Sequence, residues 1–189
     1  GDLIGGSTFL SGMFHDEPAI ESLEAMGLDV AGVGNHEFDE GTDELLRMQN
    51  GGCHPVDGCY FPEAPYAGAD FDWLAANVTK NGTDGETLLP RTKIEKIDGM
   101  KIGFIGMTLE ETDTLVSPEG VASVRFLDEV ETANRQARQL KRQGVEAIVV
   151  LLHEGGVQSG TYNQCQGISD PIVQIAATMD AEIDMIVSG

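Results

Sequence analysis

Apolar residues recur along the chain in alternating patterns. In "HDEPAIESLEAMG", Ile20, Leu23 and Ala25 or Met26 fall on one helical face. Asp16 or Glu17 stands ahead of Pro18 in the first turn and Gly27 stops the run, the signature of a helix with a proline near its start and a glycine at its end. Asp29–Val33 then reads as a short buried strand. "GTDELLRMQNGG" predicts a second helix, capped by Thr42 or Asp43 and ended by Gly51, and "DFDWLAANV" predicts a strand. "TKIEKIDGMKIGFIGMT" predicts a hairpin turning on Asp98-Gly99, a pair suited to positive φ. Its second arm, Ile102–Met107, is apolar almost throughout, as in a strand covered on both faces. "LDEVETANRQARQLKRQGVE" predicts the longest helix. Asp128 and Glu131 take capping-box spacing, Val130, Ala133, Ala137 and Leu140 form a stripe, and Arg138, Lys141 and Arg142 lie near the negative end. Ile148–Leu152 is a further buried strand, "SDPIVQIAATMD" a helix capped by Ser169 or Asp170, and "IDMIVSG" a last strand. Helices alternating with covered strands define an α/β layered fold.

Charge narrows the partners. Eleven Lys and Arg against 32 Asp and Glu leave a formal net charge of −21 on 189 residues. Such a surface repels a polynucleotide backbone, and no basic cluster offers a local exception, so no nucleic-acid polymer is expected as a partner. No apolar run approaches the roughly 20 residues of a membrane helix. Of the three cysteines, Cys53 and Cys59 share a Gly/Pro/Asp-rich loop in "CHPVDGC". A zinc reading of that pair finds only His54 as a further nearby ligand, so a local disulfide is favoured, and with it an extracellular or cell-envelope setting. Cys165 is left over, and the loop over residues 50–70 is long for a compact domain. The openings "GDLIGG" and "DMIVSG" at the two ends read as cuts through a longer chain.

Chemistry gathers where strands run out. Val30–Val33 ends in "GNHEFD", Ile148–Leu152 ends in "HEGG", and Gly1-Asp2 is what a strand end looks like when the strand itself is not in view. In α/β sheets ligands bind beyond the carboxyl ends of strands. Taken singly, Asp2 is a turn or cap residue, Asn35 a turn residue and His153 a core histidine. Taken together they offer a carboxylate, an amide oxygen and an imidazole at equivalent positions, a donor set for Mn²⁺, Zn²⁺, Fe or Mg²⁺ rather than for a thiolate zinc site. Glycines 1, 5, 6, 32, 34, 155 and 156 let backbone come close to a ligand.

The strings "GDLIGGS", "GNHEFDEG", "HEGG" and "DMIVSG" resemble, in order and type, the calcineurin-like metallophosphatases. Within them they resemble the secreted 5′-nucleotidase and 2′,3′-cyclic-nucleotide phosphodiesterase group; "FIGMT" and "AANV" also fit that group's strands. The resemblance spans residues 1–189 and implies a catalytic domain with an αββα sandwich and a two-metal site at the sheet edge. Asp2 would bridge both ions, and Asn35 and His153 would bind the second. Asn35 and His36 would meet the substrate phosphate. His36 would act as general acid or charge stabiliser, oriented by Asp39; Glu37 is left as a supporting or structural residue. The family's Asp-x-His motif is expected ahead of residue 1 and its Gly-His-x-His motif from Gly189, with a C-terminal nucleoside-binding domain beyond, so these residues alone are expected to be weakly active or inactive. Zn, Mn, Mg, Co or Fe would each serve as the divalent ions. The implied activity is hydrolysis of nucleotide phosphate esters. Two alternatives share the fold: a non-catalytic extracellular binding domain, and a hydrolase of another ester or pyrophosphate, such as a UDP-sugar, a dinucleotide or a 2′,3′-cyclic nucleotide.

Overall fold

The computed structural model describes residues 1–189. Six α-helices and eight strands alternate along it: α1 (Phe9–Gly12), α2 (Glu17–Ala25), β1 (Val30–Gly32), α3 (Thr42–Asn50), β2 (Asp72–Leu74), β3 (Val78–Lys80), β4 (Thr92–Ile97), β5 (Met100–Thr108), α4 (Thr112–Leu115), β6 (Val124–Phe126), α5 (Glu129–Arg142), β7 (Ala147–His153), α6 (Pro171–Thr178) and β8 (Met185–Ser188). A single 3₁₀ turn, His36–Phe38, follows β1.

The main sheet has the order β4-β5-β7-β8. β4 and β5 form the expected antiparallel hairpin, with Ile97 opposite Met100 and positive φ at both Asp98 and Gly99. β5, β7 and β8 run parallel, with Thr108 opposite His153 and Leu152 opposite Ser188. A second, two-stranded parallel sheet pairs β1 with β2, and β3 pairs with β6. The β1–β2 sheet lies directly on the main sheet because glycines allow it. A Cβ on Gly32 would stand 2.8 Å from the Leu151 carbonyl oxygen, and one on Gly106 would overlap Leu74.

Two cores follow from this layering. One joins Ile20 of α2 and Leu45 and Met48 of α3 to Val33, Phe38, Phe71 and Trp73. The other joins Ala133, Ala137 and Leu140 of α5 and Ile172 and Ile175 of α6 to Ile105, Met107, Ile148 and Val150. Helices thus cover the outer face of each sheet, giving the αββα sandwich.

Local chemistry explains where the sequence reading moves. "DFDWLAANV" is two short strands, because the fully buried Asn77 turns the chain between them. Its Nδ2 donates to the carbonyls of Thr108 (2.7 Å) and Leu127 (2.9 Å), and its Oδ1 accepts from Thr108 N (3.2 Å). Helix α3 is entered from Gly41, at φ 88, rather than capped by Thr42 or Asp43; the Thr42 hydroxyl is turned to Ser123 Oγ at 3.2 Å. Asp16 precedes α2 without capping it, since its carboxylate accepts from Gly5 N (3.0 Å) and Ser11 Oγ (2.6 Å). Asp170 likewise precedes α6 without a side-chain cap. Asp128 does cap α5, accepting from Glu131 N at 2.6 Å. The segment over 50–70 is tied down by the Cys53–Cys59 disulfide and by Tyr66, whose hydroxyl donates to Met48 O at 2.9 Å. Cys165 is exposed and unpaired. No helix is long and apolar enough to cross a membrane.

Candidate active site

The carboxyl ends of β1 and β7 lie side by side, and the residues that follow them meet the start of the chain. Asn35 leads into the 3₁₀ turn after β1, and His153 is the last residue of β7. His153 Nε2 lies 3.0 Å from Asn35 Oδ1 and 3.1 Å from Asp2 Oδ2. A cleft of about 450 Å³ lies along this edge, lined by Asp2, Ala31, Gly32, His153 and Ser188 among others; no Lys or Arg lines it.

Three of the expected metal ligands therefore converge. A single ring nitrogen facing both a carboxylate oxygen and an amide oxygen has at most one proton to share between them. A divalent cation would satisfy all three atoms at once, so this donor set fits the metal that the sequence reading implies.

His36 stands on the other side of Asp2. Its backbone N–H donates to Asp2 Oδ1 at 3.1 Å, and its Nδ1 is 2.7 Å from Asp39 Oδ2. The hydrogen bond to Asp39 raises the His36 pKa from its ordinary value, against a smaller opposing effect of desolvation. The Gly6 N–H stands 3.3 Å from His36 Nδ1, so a proton on Nδ1 would go to the nearer Asp39 carboxylate at the expense of that contact and would leave Nε2 for solvent or a substrate; the side chain is 43% exposed. Gly5 and Gly6 pack on this pair. Gly5, at φ 84, has no room for a side chain, since a Cβ would come 2.8 Å from Asp39 Oδ2.

Glu37 is the residue whose role the sequence left open. It is buried, and its carboxylate accepts from Asp2 N (2.8 Å), Leu3 N (2.6 Å) and Gly34 N (2.6 Å). Burial raises its pKa, and the amide hydrogen bonds partly oppose that. Glu37 thus clamps the Asp2 segment to the end of β1. Its partners Asp2 and Leu3 lie 35 and 34 positions away, so no local spacing could have pointed to it.

The chain is similar to several known proteins. Endonuclease YhcR of Bacillus subtilis is 41% identical over 186 residues, covering 98% of this chain and 14% of that protein. A 5′-nucleotidase of Vibrio cholerae is 30% identical over 176 residues, covering 92% of this chain and 28% of the relative. The crystal structure of the calcineurin-like phosphoesterase YfkN of Bacillus subtilis superposes with a TM-score of 0.67 at 28% identity, over 91% of this chain and 47% of that one. No protein-family model matches the sequence. The chain belongs to the calcineurin-like phosphoesterase superfamily, in the group that holds the 5′-nucleotidases. It spans well under a third of the length of these two curated relatives.

Proposed function

We propose that this chain carries the catalytic centre of a metal-dependent hydrolase of nucleotide phosphate esters. The observation that carries the reading is the convergence of Asn35 Oδ1 and Asp2 Oδ2 on His153 Nε2, at 3.0 and 3.1 Å, with the His36–Asp39 pair beside them. Two divalent ions in this family would supply Lewis-acid polarisation of the phosphoryl oxygens and a water acidic enough to give hydroxide near neutral pH. Asp2, Asn35 and His153 would hold them. The Asn35 amide and the His36 imidazole would also contact the phosphate. His36, whose protonated form the hydrogen bond to Asp39 favours, would give its Nε2 proton to the departing ester oxygen. Glu37 would keep Asp2 in register with Asn35.

The charge of −21 makes a bound cation necessary for any phosphate to approach, because no Lys or Arg lines the cleft. The same charge favours small phosphate esters over polynucleotides. The similarity to a protein named as an endonuclease supports a second reading, phosphodiester cleavage in nucleic acid. The oriented His36–Asp39 pair argues against a purely non-catalytic binding domain, which needs no proton donor. The Cys53–Cys59 pairing supports an oxidising, extracellular or envelope location.

Asp2, Asn35 and His153 offer one ion three protein ligands and are few for a pair, so slow turnover and weak Mn²⁺ binding are expected of these 189 residues. The test is phosphate release from AMP by the chain with Mn²⁺, beside nicking of single-stranded DNA. Slow AMP hydrolysis, abolished by chelation and by His153→Ala, supports the proposal. DNA nicking without AMP hydrolysis would favour the second reading. Metal-independent turnover would overturn both.

A further inference from the structure

A second group of ligating side chains gathers around Glu40, the residue after Asp39. The rings of His15 and His54 stack with centroids 3.8 Å apart and planes 14° from parallel. Both side chains are largely withdrawn from water, at 13% and 12% exposure. One edge of the stack faces Glu40: His15 Nδ1 lies 3.2 Å and His54 Nε2 3.7 Å from Glu40 Oε2. The other edge faces Asp57: His15 Nε2 lies 3.0 Å and His54 Nδ1 3.5 Å from Asp57 Oδ2.

We propose that His15, His54 and Glu40 form a separate binding site for a zinc-class divalent cation, with Asp57 orienting the two imidazoles from behind. Three observations carry this. The ligand atoms of His15, Glu40 and His54 all lie within 4.8 Å of one another, so small ring tilts bring them to a common ion. Each imidazole turns one nitrogen toward Glu40, and His15 turns its other nitrogen to the Asp57 carboxylate at 3.0 Å, the arrangement that holds a metal-bound histidine in the required tautomer. Finally, the three ligands come from segments far apart in sequence that are each fixed independently. His15 sits at φ 47 just before α2, Glu40 follows the 3₁₀ turn, and His54 lies inside the loop closed by Cys53 and Cys59.

The donor set decides the ion. Two imidazole nitrogens and a carboxylate suit Zn²⁺, Co²⁺ or Ni²⁺, whereas Mg²⁺ and Ca²⁺ take oxygen ligands. With neutral imidazoles, Glu40 and Asp57 together balance a divalent charge. In the ion-free arrangement Asp57 N–H approaches His54 Nδ1 at 3.1 Å. Coordination through Nε2 places the proton on Nδ1, so that amide must give way and the Asp57 carboxylate takes over as acceptor. Glu40 directly follows Asp39, the partner of His36, and His15, His36 and Glu40 line one small cavity. An ion here would pin the disulfide loop and helix α2 against the segment that orients His36.

The proposal is independent of the phosphoesterase reading and is tested on a background that lacks the other site. The His153→Ala chain, unreduced, is titrated with Zn²⁺ and separately with Co²⁺. One Zn²⁺ per chain is expected, with visible Co²⁺ absorption of a tetrahedral nitrogen–oxygen site. The melting temperature should rise by roughly 5–10 °C at a hundredfold excess over Kd. Adding His54→Gln should weaken Zn²⁺ binding at least tenfold and remove the Co²⁺ band; adding the more exposed Glu40→Gln should do the same and stands in if the first variant does not fold. A His153→Ala chain that binds no Zn²⁺, or His54→Gln and Glu40→Gln variants that bind it unchanged, would overturn the assignment.

Discussion

Glu37 accepts the backbone N–H of Asp2 at 2.8 Å across 35 positions of sequence. With its other two amide partners, Leu3 and Gly34, it joins the start of the chain to the end of β1 at the point where the candidate metal ligands meet. Glu37→Gln keeps the size of the side chain but turns an NH₂ group toward N–H donors. Loss of one or two buried hydrogen bonds should destabilise the fold by about 1–3 kcal/mol. Because the Asp2 backbone is released, Mn²⁺ affinity should fall as well. Urea unfolding and a metal titration on the same preparation check both, and a variant with unchanged metal affinity would confine Glu37 to folding.

Arg47 is another buried charge with a structural task. Its Nη1 donates to Glu17 Oε1 (2.7 Å) and to Gly52 O (2.9 Å), while Nε and Nη2 donate to the two oxygens of Glu44 at 2.8 and 2.7 Å. It ties α2, α3 and the loop over 50–70 together; burial alone would lower its pKa, but the hydrogen bonds and charges of Glu44 and Glu17 together outweigh burial and raise it above the ordinary value. Arg47→Met leaves two largely buried carboxylates unpaired and should cost about 3–5 kcal/mol. Replacing Glu17 and Glu44 by Leu in the same chain should recover much of that loss. Thermal unfolding of the single and triple variants measures the difference; equal destabilisation would show that the network's geometry, not the unpaired charge, is what matters.

The disulfide encloses a short loop, with a sequence separation of 6. Its removal should therefore lower stability by only about 2 kcal/mol, mainly through greater freedom of the unfolded chain. Unreduced peptide mapping should recover Cys53 and Cys59 linked, and Cys53→Ser with Cys59→Ser should shift the urea midpoint by the corresponding amount. Two free thiols in protein purified from an oxidising compartment would remove the physical reason for placing the chain there.

Much of this architecture is legible in the sequence because the signals are local. Asp98-Gly99 sets its hairpin, Asp128 caps α5, and the polar bursts after apolar runs mark the strand ends that bring Asn35 and His153 together. What is not legible depends on partners distant in the chain. Asn77 breaks an apparently continuous strand because it meets Thr108 and Leu127, and Glu37 and the His15–His54 stack join residues that no periodicity relates.

Asn35 and His36 are adjacent in sequence yet face different tasks, and their substitutions should fail differently. Asn35 Oδ1 points at His153 Nε2, 3.0 Å away, whereas His36 Nδ1 is bound to Asp39 at 2.7 Å and its ring turns outward. In a phosphoesterase built on this site, Asn35→Ala should weaken metal binding, and excess Mn²⁺ should restore part of the activity. His36→Ala should leave metal content unchanged and lower kcat by roughly 10²–10⁴, the range for a lost acid–base group. That loss should shrink for nitrophenyl phosphates, whose leaving groups need little protonation. Asp39→Asn should show a milder form of the same defect, since it misdirects the imidazole without removing it. Metal content by mass spectrometry, measured beside kcat on AMP and on a nitrophenyl ester, separates the roles. Equal impairment of His36→Ala on both substrates, or loss of metal from it, would move the proton to another residue.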